Sequence, residues 1–218
     1  MQIKFVILLM NMNNKIYLLY QQLYEKYGIS PEAVKARNSK QQQLRFEHLF
    51  ACSDVKEDDS ILDVGCGSGE LLNYMRKIGL NGKYCGIDFI KEFIEHGNNF
   101  FKNDRASSFV QIDIENEDIP KSFNWVILSG VFNDLRDDSE MFFYSTLDKM
   151  FEASTKGILF NSLTKYVDYE DNDLFYTYPD KVMRYCLENF SKYIVIKTNY
   201  QLKKDTIPFE YSLCVYKK

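Results

Sequence analysis

The sequence predicts an α/β fold built on a mostly parallel sheet, and three patterns support that prediction. After residue 60, short apolar runs alternate with amphipathic stretches, which is typical of parallel strands joined by helical crossovers. A turn with three glycines, "GCGSG", follows the first of these runs. Only a short link separates the last two apolar runs, so they are expected to pair as an antiparallel hairpin.

The first part of the chain, 1–58, is expected to form an N-terminal helical extension packed on a core domain at 59–218. Two stretches, "KIYLLYQQLYEKYG" and "KQQQLRFEHLF", are predicted to be helices, with Pro31 and Ser39 as breaks between them. The apolar "MQIKFVILLM" is too short to span a bilayer and is followed by no small-residue cleavage site. It is interpreted as an extra packed element or a disordered leader rather than a signal peptide, and no membrane association is expected.

The core domain is predicted to contain seven strands and three helices. The spacing of apolar residues predicts helices over 71–78, which Gly79 ends, over 90–101 and over "SEMFFYSTLDKMFEAST". The predicted strands are, in chain order, "SILDVG", "GKYCGIDF", "SSFVQIDI", "FNWVILSG", "KGILFNSL", "KYIVIKTNY" and "FEYSLCVYK".

Composition excludes several classes of protein. The chain has 27 Lys and Arg against 31 Asp and Glu, whereas a protein that neutralises many phosphates usually carries a basic face, so nucleic acid is not an expected partner. The five cysteines are odd in number and widely spaced, without a Cys-x-x-Cys pair. Neither a disulfide framework nor a metal site is therefore expected, and a reducing, cytoplasmic compartment fits this pattern best.

The glycine turn is a candidate ligand site. Glycine lets the chain turn tightly and lets a ligand approach the backbone, and ligands of open parallel sheets bind at the carboxyl ends of the strands. A dinucleotide fingerprint requires Gly-x-Gly-x-x-Gly, but the sixth place counted from Gly65 is Glu70, because the third glycine comes one residue early at Gly69. The carboxylate of Asp63 would repel a pyrophosphate but suits an ammonium group. A zwitterionic or cationic ligand is expected, with a purely structural turn as the alternative.

From residue 60 onwards, the chain resembles the class I S-adenosylmethionine-dependent methyltransferases. Four stretches look like motifs of that family and stand in the same order: "ILDVGCGSGE", "YCGIDF", "VQIDIEN" and "FNWVILSG". The resemblance implies a Rossmann-like sheet of seven strands, mostly parallel, with helices on both faces and the last strand inserted antiparallel. It also implies that S-adenosyl-L-methionine is the cofactor and lies across the carboxyl ends of the first strands.

The resemblance implies cofactor contacts at the ends of the first four strands, and Arg45 is added as a candidate partner for the cofactor carboxylate. Asp88 would accept hydrogen bonds from both ribose hydroxyls, with a helix cap as the alternative role. Phe89 would lie against the adenine ring, and Asp113 with Ile114 would meet the adenine amino edge, unless Asp113 is a solvated acid at a strand end. The expected cofactor-binding residues are Asp63, Val64, Gly65, Cys66, Gly67, Gly69, Asp88, Phe89, Asp113, Ile114, Ser129, Gly130 and Arg45.

Candidates on the acceptor side are fewer, because methyl transfer from a sulfonium depends on alignment and needs no dedicated base. Asn133 and Asp134 follow the fourth strand and are the candidate catalytic residues, although they could instead cap the next helix. Asn161, Tyr166 and Tyr169 are candidate substrate contacts. The alternative for the tyrosine-rich stretch after the fifth strand is an ordinary solvated loop.

The function expected from these residues is methyl transfer from S-adenosylmethionine to an oxygen or nitrogen atom of a small or medium-sized acceptor. The family's enzymes that methylate nucleic-acid amino groups carry Asn-Pro-Pro-Tyr where this chain has "SGVF", which disfavours a nucleic-acid acceptor. Two alternatives remain open. One is a protein that binds the cofactor but is catalytically silent, and the other is an NAD(P)-dependent oxidoreductase, which would require the glycine spacing to be wrong by one.

Overall fold

The computed structural model describes residues 2–35 and 38–218, with side chains described from residue 15 onwards. The helices are α1 (Gln2–Tyr27), α2 (Ser39–Phe50), α3 (Glu70–Lys77), α4 (Lys91–Phe100), α5 (Ser139–Ala153) and α6 (Pro179–Asn189). The strands are β1 (Ile61–Val64), β2 (Tyr84–Asp88), β3 (Ser107–Gln111), β4 (Phe123–Leu128), β5 (Ser154–Thr164), β6 (Tyr176–Thr177), β7 (Ile194–Lys197) and β8 (Glu210–Tyr216). Two short 3₁₀ helices lie at Pro31–Val34 and Val131–Asn133.

The strands form one sheet in the order β3-β2-β1-β4-β5-β8-β7. All pairs along this path are parallel except those of β8, which runs antiparallel to both β5 and β7. The predicted mostly parallel sheet with an antiparallel strand near the end of the chain is therefore confirmed. The two-residue strand β6 lies off this path and pairs with the end of β5.

Besides the unpredicted strand β6, three parts of the chain differ from the sequence-based prediction. The link between β7 and β8 spans 198–209 and is not short, because the chain leaves the sheet after Lys197 and buries Tyr200 and Leu202 before it returns. Helix α6 was not predicted; Pro179 begins it, and Val182 and Cys186 bury one face. The apolar N-terminal stretch belongs to α1 from Gln2 onwards.

Both faces of the sheet are covered by helices, as the prediction required. On one face, alternate residues of β4 and β5 such as Val126 and Phe160 pack with α5 and α6. On the other face, Trp125 and its neighbours pack with Leu49 of α2 and Leu72 of α3. Because successive side chains of a strand point to opposite faces, these two cores lie on opposite sides of the same sheet. None of the described helices combines the length and apolar character that crossing a bilayer requires.

Candidate active site

A cavity of about 310 Å³ lies at the carboxyl ends of β1, β2 and β4. The strand order reverses between β1 and β4, which is the place where ligands of open α/β sheets bind. Helices α1 and α2 and the turn around Lys35 form the opposite wall. The cavity is therefore enclosed between the sheet edge and the N-terminal helices.

The glycine turn is held in a conformation that only glycine adopts easily. Gly65, Gly67 and Gly69 have φ angles of 71°, 51° and 90°. A Cβ atom on Gly65 would lie 2.2 Å from Cγ2 of Val131, and one on Gly67 would lie 3.1 Å from Cγ1 of Val34. Gly65, Cys66 and Gly67 line the cavity with Val64, whereas Gly69 packs against two phenylalanines at the start of α3. The glycines of the turn therefore leave backbone atoms open to a ligand, and Cys66 and Ser68 line the cavity beside them.

Asp63 is buried beside this turn. Its Oδ2 accepts a hydrogen bond of 2.6 Å from the hydroxyl of Tyr84, which is also buried. Burial raises the pKa of Asp63 to about 7, and the nearby carboxyl of Asp88 adds to that rise, while the Tyr84 hydrogen bond opposes it. An arriving positive charge would favour the ionised form of this carboxyl.

Asp88 connects the glycine turn to the next helix. Oδ2 accepts a hydrogen bond from the backbone N–H of Gly67, and Oδ1 accepts one from that of Ile90, both at 2.9 Å. Burial raises the pKa of Asp88 to about 6 in spite of these bonds. Each carboxylate oxygen has a second lone pair, so the side chain caps the backbone and still has acceptor capacity toward the cavity, which it lines.

Phe89, Asp113 and Ile114 line the end of the cavity nearest β2 and β3. The rings of Tyr17 and Tyr20 pack on Phe89 at centroid distances of 5.9 and 6.0 Å. The Asp113 side chain accepts hydrogen bonds from the backbone N–H of Glu115 and from Asn116. The Asp113 side chain therefore stabilises the turn at 113–116, at the edge of the cavity.

The segment after β4 contributes Ser129, Gly130, Asn133 and Asp134 to the cavity. Both oxygens of Asp134 are engaged, because Oδ2 accepts a 2.6 Å hydrogen bond from the Tyr20 hydroxyl and Oδ1 forms an ion pair with Lys35. The Oδ1 atom of Asn133 is buried and has no hydrogen-bond partner among the described residues. The side-chain oxygen of Asn133 is therefore available to accept a hydrogen bond from a ligand, whereas Asp134 joins the N-terminal helices to the sheet.

Arg45 also lines the cavity, and its Nε donates to the carboxylate of Glu210. Asn161 lies behind the cavity wall, fully buried, where Oδ1 accepts a 3.0 Å hydrogen bond from the backbone N–H of Gly130. It supports the wall without lining it.

Tyr166 and Tyr169 are not brought to the cavity. They are 61% and 77% exposed, and the Tyr166 hydroxyl donates to Asp180 at the start of α6. The tyrosine-rich segment instead contributes Leu174, which lines the cavity with Leu163 and Phe209.

Sequence reasoning missed several residues that line the cavity or bind its lining residues. Tyr20, Lys35 and Phe209 line the cavity, and Glu210 binds Arg45 behind it. These residues come from distant parts of the chain and form no motif. The one local indication was the three-residue spacing of Tyr17 and Tyr20, which places both rings on the same face of α1.

Among the described residues that line the cavity, acidic side chains outnumber basic ones. The carboxyl groups are those of Asp63, Glu70, Asp88, Asp113, Glu115 and Asp134, and the cations are Lys35, Arg45 and Arg136. Each of these three cations forms an ion pair, namely Lys35 with Asp134, Arg45 with Glu210 and Arg136 with Glu115. The cavity therefore favours a ligand that carries positive charge over a polyanion.

Comparison with known proteins gives consistent results. The family model of a methyltransferase domain matches residues 55–174. The Mycobacterium tuberculosis protein named "Putative methyltransferase Rv1506c" is 30% identical over 154 residues, which cover 68% of this chain and 90% of that protein.

Solved structures share the fold at low sequence identity. Magnesium protoporphyrin IX methyltransferase from Synechocystis PCC 6803, with bound S-adenosylhomocysteine, has a TM-score of 0.64 at 12% identity, covering 98% of this chain and 99% of the other. The CurJ carbon methyltransferase has a TM-score of 0.58 at 14% identity, covering 90% of this chain and 57% of the other.

Proposed function

This chain belongs to the S-adenosylmethionine-dependent methyltransferases, and from that premise we propose that it methylates an oxygen or nitrogen atom of a small or medium-sized, largely apolar acceptor. The observation that carries the proposal is the cavity itself, where a glycine turn lies with two buried carboxyl groups and an amide oxygen that has no hydrogen-bond partner in the described part of the chain.

The residues present fit the cofactor. When bound, it supplies a methyl group already activated by a sulfonium. Asp63 and the Gly65–Gly67 backbone would hold its methionine end, and Arg45 would bind its carboxylate. Asp88 would accept hydrogen bonds from the ribose, and Phe89 would lie against the adenine.

The alternative nicotinamide cofactor fits this cavity less well. Its pyrophosphate would lie at the glycine turn, beside the carboxyl group of Asp63, which also lines the cavity. Like charges held close together in a partly buried site are unfavourable. The same argument disfavours a polyanionic acceptor such as nucleic acid.

Asn133 is the residue proposed to orient the acceptor. A buried carbonyl oxygen without a partner is costly, and an O–H or N–H group of an acceptor would satisfy it. That bond would hold the nucleophilic lone pair in one direction, and alignment of this kind supplies much of the acceleration in a direct displacement. Asp134 is assigned to holding the N-terminal helices, because one of its oxygens accepts a hydrogen bond from Tyr20 and the other pairs with Lys35.

The acceptor is proposed to be largely apolar. Ile16, Leu163, Leu174 and Phe209 line the cavity together with Asn133. An acceptor with one hydroxyl or amine on an apolar body matches these walls. Asn161 would act indirectly, by fixing Gly130 through its backbone N–H.

A binding experiment tests the donor side of this proposal. S-adenosylhomocysteine is expected to raise the free energy of unfolding by about 2.7 kcal/mol at a hundredfold excess over its dissociation constant. NAD and NADP are expected to leave the unfolding transition unchanged. Stabilisation by the nicotinamide cofactors alone would contradict the proposal.

Incubation of a metabolite extract with labelled S-adenosylmethionine then tests the acceptor side. The labelled product identifies the acceptor. Asn133→Ala is expected to lower the rate of its methylation while the affinity for S-adenosylhomocysteine stays nearly unchanged. Donor binding without a labelled product from broad extracts would favour the catalytically silent alternative.

A further inference from the structure

We propose that Glu210 is a positioning residue that holds the guanidinium of Arg45 toward the donor site, and that Tyr200 in turn holds Glu210. The inference rests on the proposed function, in which Arg45 binds the carboxylate of the cofactor. Neither Glu210 nor Tyr200 lines the cavity, so both would act through Arg45.

The direction of β8 brings Glu210 to this place. Because β8 runs antiparallel to β5, its first residue lies at the edge where the parallel strands end. Glu210 is only 1% exposed, and it pairs across the sheet with Leu163, which lines the cavity. A carboxylate buried to this degree needs a cation and further hydrogen bonds to be tolerated.

Arg45 is the cation that Glu210 binds among the described residues. Its Nε lies 2.9 Å from Oε2 and 3.1 Å from Oε1 of Glu210. Binding through Nε leaves the far side of the planar guanidinium facing away from the carboxylate. On that side, Nη1 lies 3.6 Å from the position that a Cβ atom on Gly130 would occupy. The ion pair thus fixes the plane of the guanidinium, and its Nη1 lies beside Gly130, which lines the cavity with Arg45.

Tyr200 completes the network from the long link before β8. It is 3% exposed, and its hydroxyl lies 3.1 Å from Oε1 of Glu210 and 2.9 Å from Oγ of Ser212. The ring of His48 stacks on Tyr200 with centroids 4.2 Å apart, and His48 lies on α2 one turn after Arg45. The same link and strand therefore hold both the carboxylate and the helix that carries the guanidinium.

Two nucleosides that differ in the amino-acid portion test this inference. S-adenosylhomocysteine has the carboxylate that Arg45 would bind, and 5′-methylthioadenosine lacks it. Titration calorimetry would measure both affinities for the wild-type protein, Arg45→Ala, Glu210→Gln and the double variant. Glu210→Gln is expected to lower the affinity for S-adenosylhomocysteine about tenfold. A loss of this size follows when a charge-assisted hydrogen bond is misaligned. The affinity for 5′-methylthioadenosine should change less than about threefold on the same grounds.

The double variant distinguishes positioning from general destabilisation. If Glu210 acts through Arg45, Glu210→Gln has no additional effect on the ratio of the two affinities once Arg45 is alanine. The inference would be overturned if Glu210→Gln lowered the affinities for both ligands equally. It would also be overturned if Glu210→Gln changed the ratio of the two affinities further in the Arg45→Ala background. A wild-type protein that binds neither nucleoside would overturn the proposed function instead.

Two further variants keep the test decisive. Glu152→Gln removes an exposed carboxylate that pairs with Lys121 far from the cavity, and it should leave both affinities unchanged. Should Glu210→Gln fail to fold, Tyr200→Phe removes only the hydroxyl and keeps the buried ion pair. Tyr200→Phe is expected to lower the affinity for S-adenosylhomocysteine selectively, by a smaller factor than Glu210→Gln. An equal effect on the affinities for both ligands, or no effect on either, counts against the inference.

Discussion

Asp63 is a carboxylic acid that burial keeps partly protonated near neutral pH. Its pKa of about 7 in the folded protein lies above the ordinary value of ~3.9. The ligand-free folded state therefore binds this proton more tightly than the unfolded state. The stability that this group contributes is complete below about pH 4 and is lost as the pH rises through about 7.

Binding of S-adenosylmethionine is expected to release a proton at about pH 6.5, because a positive charge lowers the pKa of Asp63 and of Asp88, which lies at about 6. Affinity should rise between about pH 6 and pH 8 for the same reason. Calorimetry in buffers with different ionisation enthalpies measures the number of protons released. Asp63→Asn should remove most of this release. A binding enthalpy independent of the buffer in the wild-type protein would disagree with this account.

Asp88→Ala is expected to destabilise the ligand-free protein by about 1–3 kcal/mol, because the N–H groups of Gly67 and Ile90 lose their acceptor. The glycine turn would also loosen, so cofactor affinity should fall. Urea denaturation without ligand measures the first effect. Asp88→Asn keeps one carbonyl oxygen and should lose about half as much stability on the same basis. An unchanged unfolding midpoint for Asp88→Ala would contradict the capping role.

Single residues were predictable where a local motif contained them. The glycine turn, Asp63 and Asp88 stand in contiguous stretches, and all the predicted residues at the ends of β1 and β2 lie at the cavity except Gly69. Glu210 and Tyr20 were not predictable in this way, because Arg45 lies 165 residues from Glu210 in the sequence and Asp134 lies 114 residues from Tyr20. Only the fold brings such pairs together.

At the scale of elements, the N-terminal helices form a layer over the cavity that Asp134 attaches to the sheet. Tyr20 of α1 and Lys35 after the first 3₁₀ helix both bind this carboxylate. Ala33 is fully buried against Ile90 and Phe93, so the attachment has an apolar part as well. Opening of this layer would expose the cavity.

Tyr20→Phe is expected to loosen this layer, because it removes the hydroxyl bound to Asp134 and keeps the ring on Phe89. Hydrogen exchange of amides in α1 should become faster, and S-adenosylhomocysteine should dissociate faster. Tyr24→Phe is the matched control, since the Tyr24 ring packs on Phe93 from the same helix. Similar exchange rates in Tyr20→Phe and Tyr24→Phe would show that the hydroxyl does not hold the layer.

Elements were predictable where apolar periodicity was strong and the ends were marked by glycine. Each of the seven predicted strands is found, and α3 ends just before Gly79 as expected. The long link before β8 and helix α6 were missed for different reasons. The link buries Tyr200 through tertiary contacts, and α6 follows a polar stretch that resembles a loop.

At the scale of the whole molecule, both layers of the core bury cysteine side chains. Cys52, Cys66, Cys85, Cys186 and Cys214 are all free thiols and all buried. Burial raises the pKa of Cys52 to about 11 and those of Cys186 and Cys214 to about 12, so little thiolate is present at neutral pH.

The native protein is therefore expected to react only slowly with an aromatic disulfide reagent at pH 8, whereas all five thiols should react at once in concentrated guanidinium chloride. Cys66 lines the cavity, so S-adenosylhomocysteine should slow its reaction further. Absorbance at the wavelength of the released thiolate measures both rates. Rapid labelling of one thiol in the native protein would mean that a part of the core opens easily.

The Arg45–Glu210 ion pair also has a consequence for the order of folding. It joins residues 165 positions apart, and closing so long a loop costs entropy that only late, non-local contacts recover. Without β8 in its place, the guanidinium of Arg45 would lack the carboxylate that fixes it, whatever the state of the glycine turn. Full affinity for the donor would then require this long-range contact, so ligand binding would report that β8 is in place rather than the first collapse of the chain.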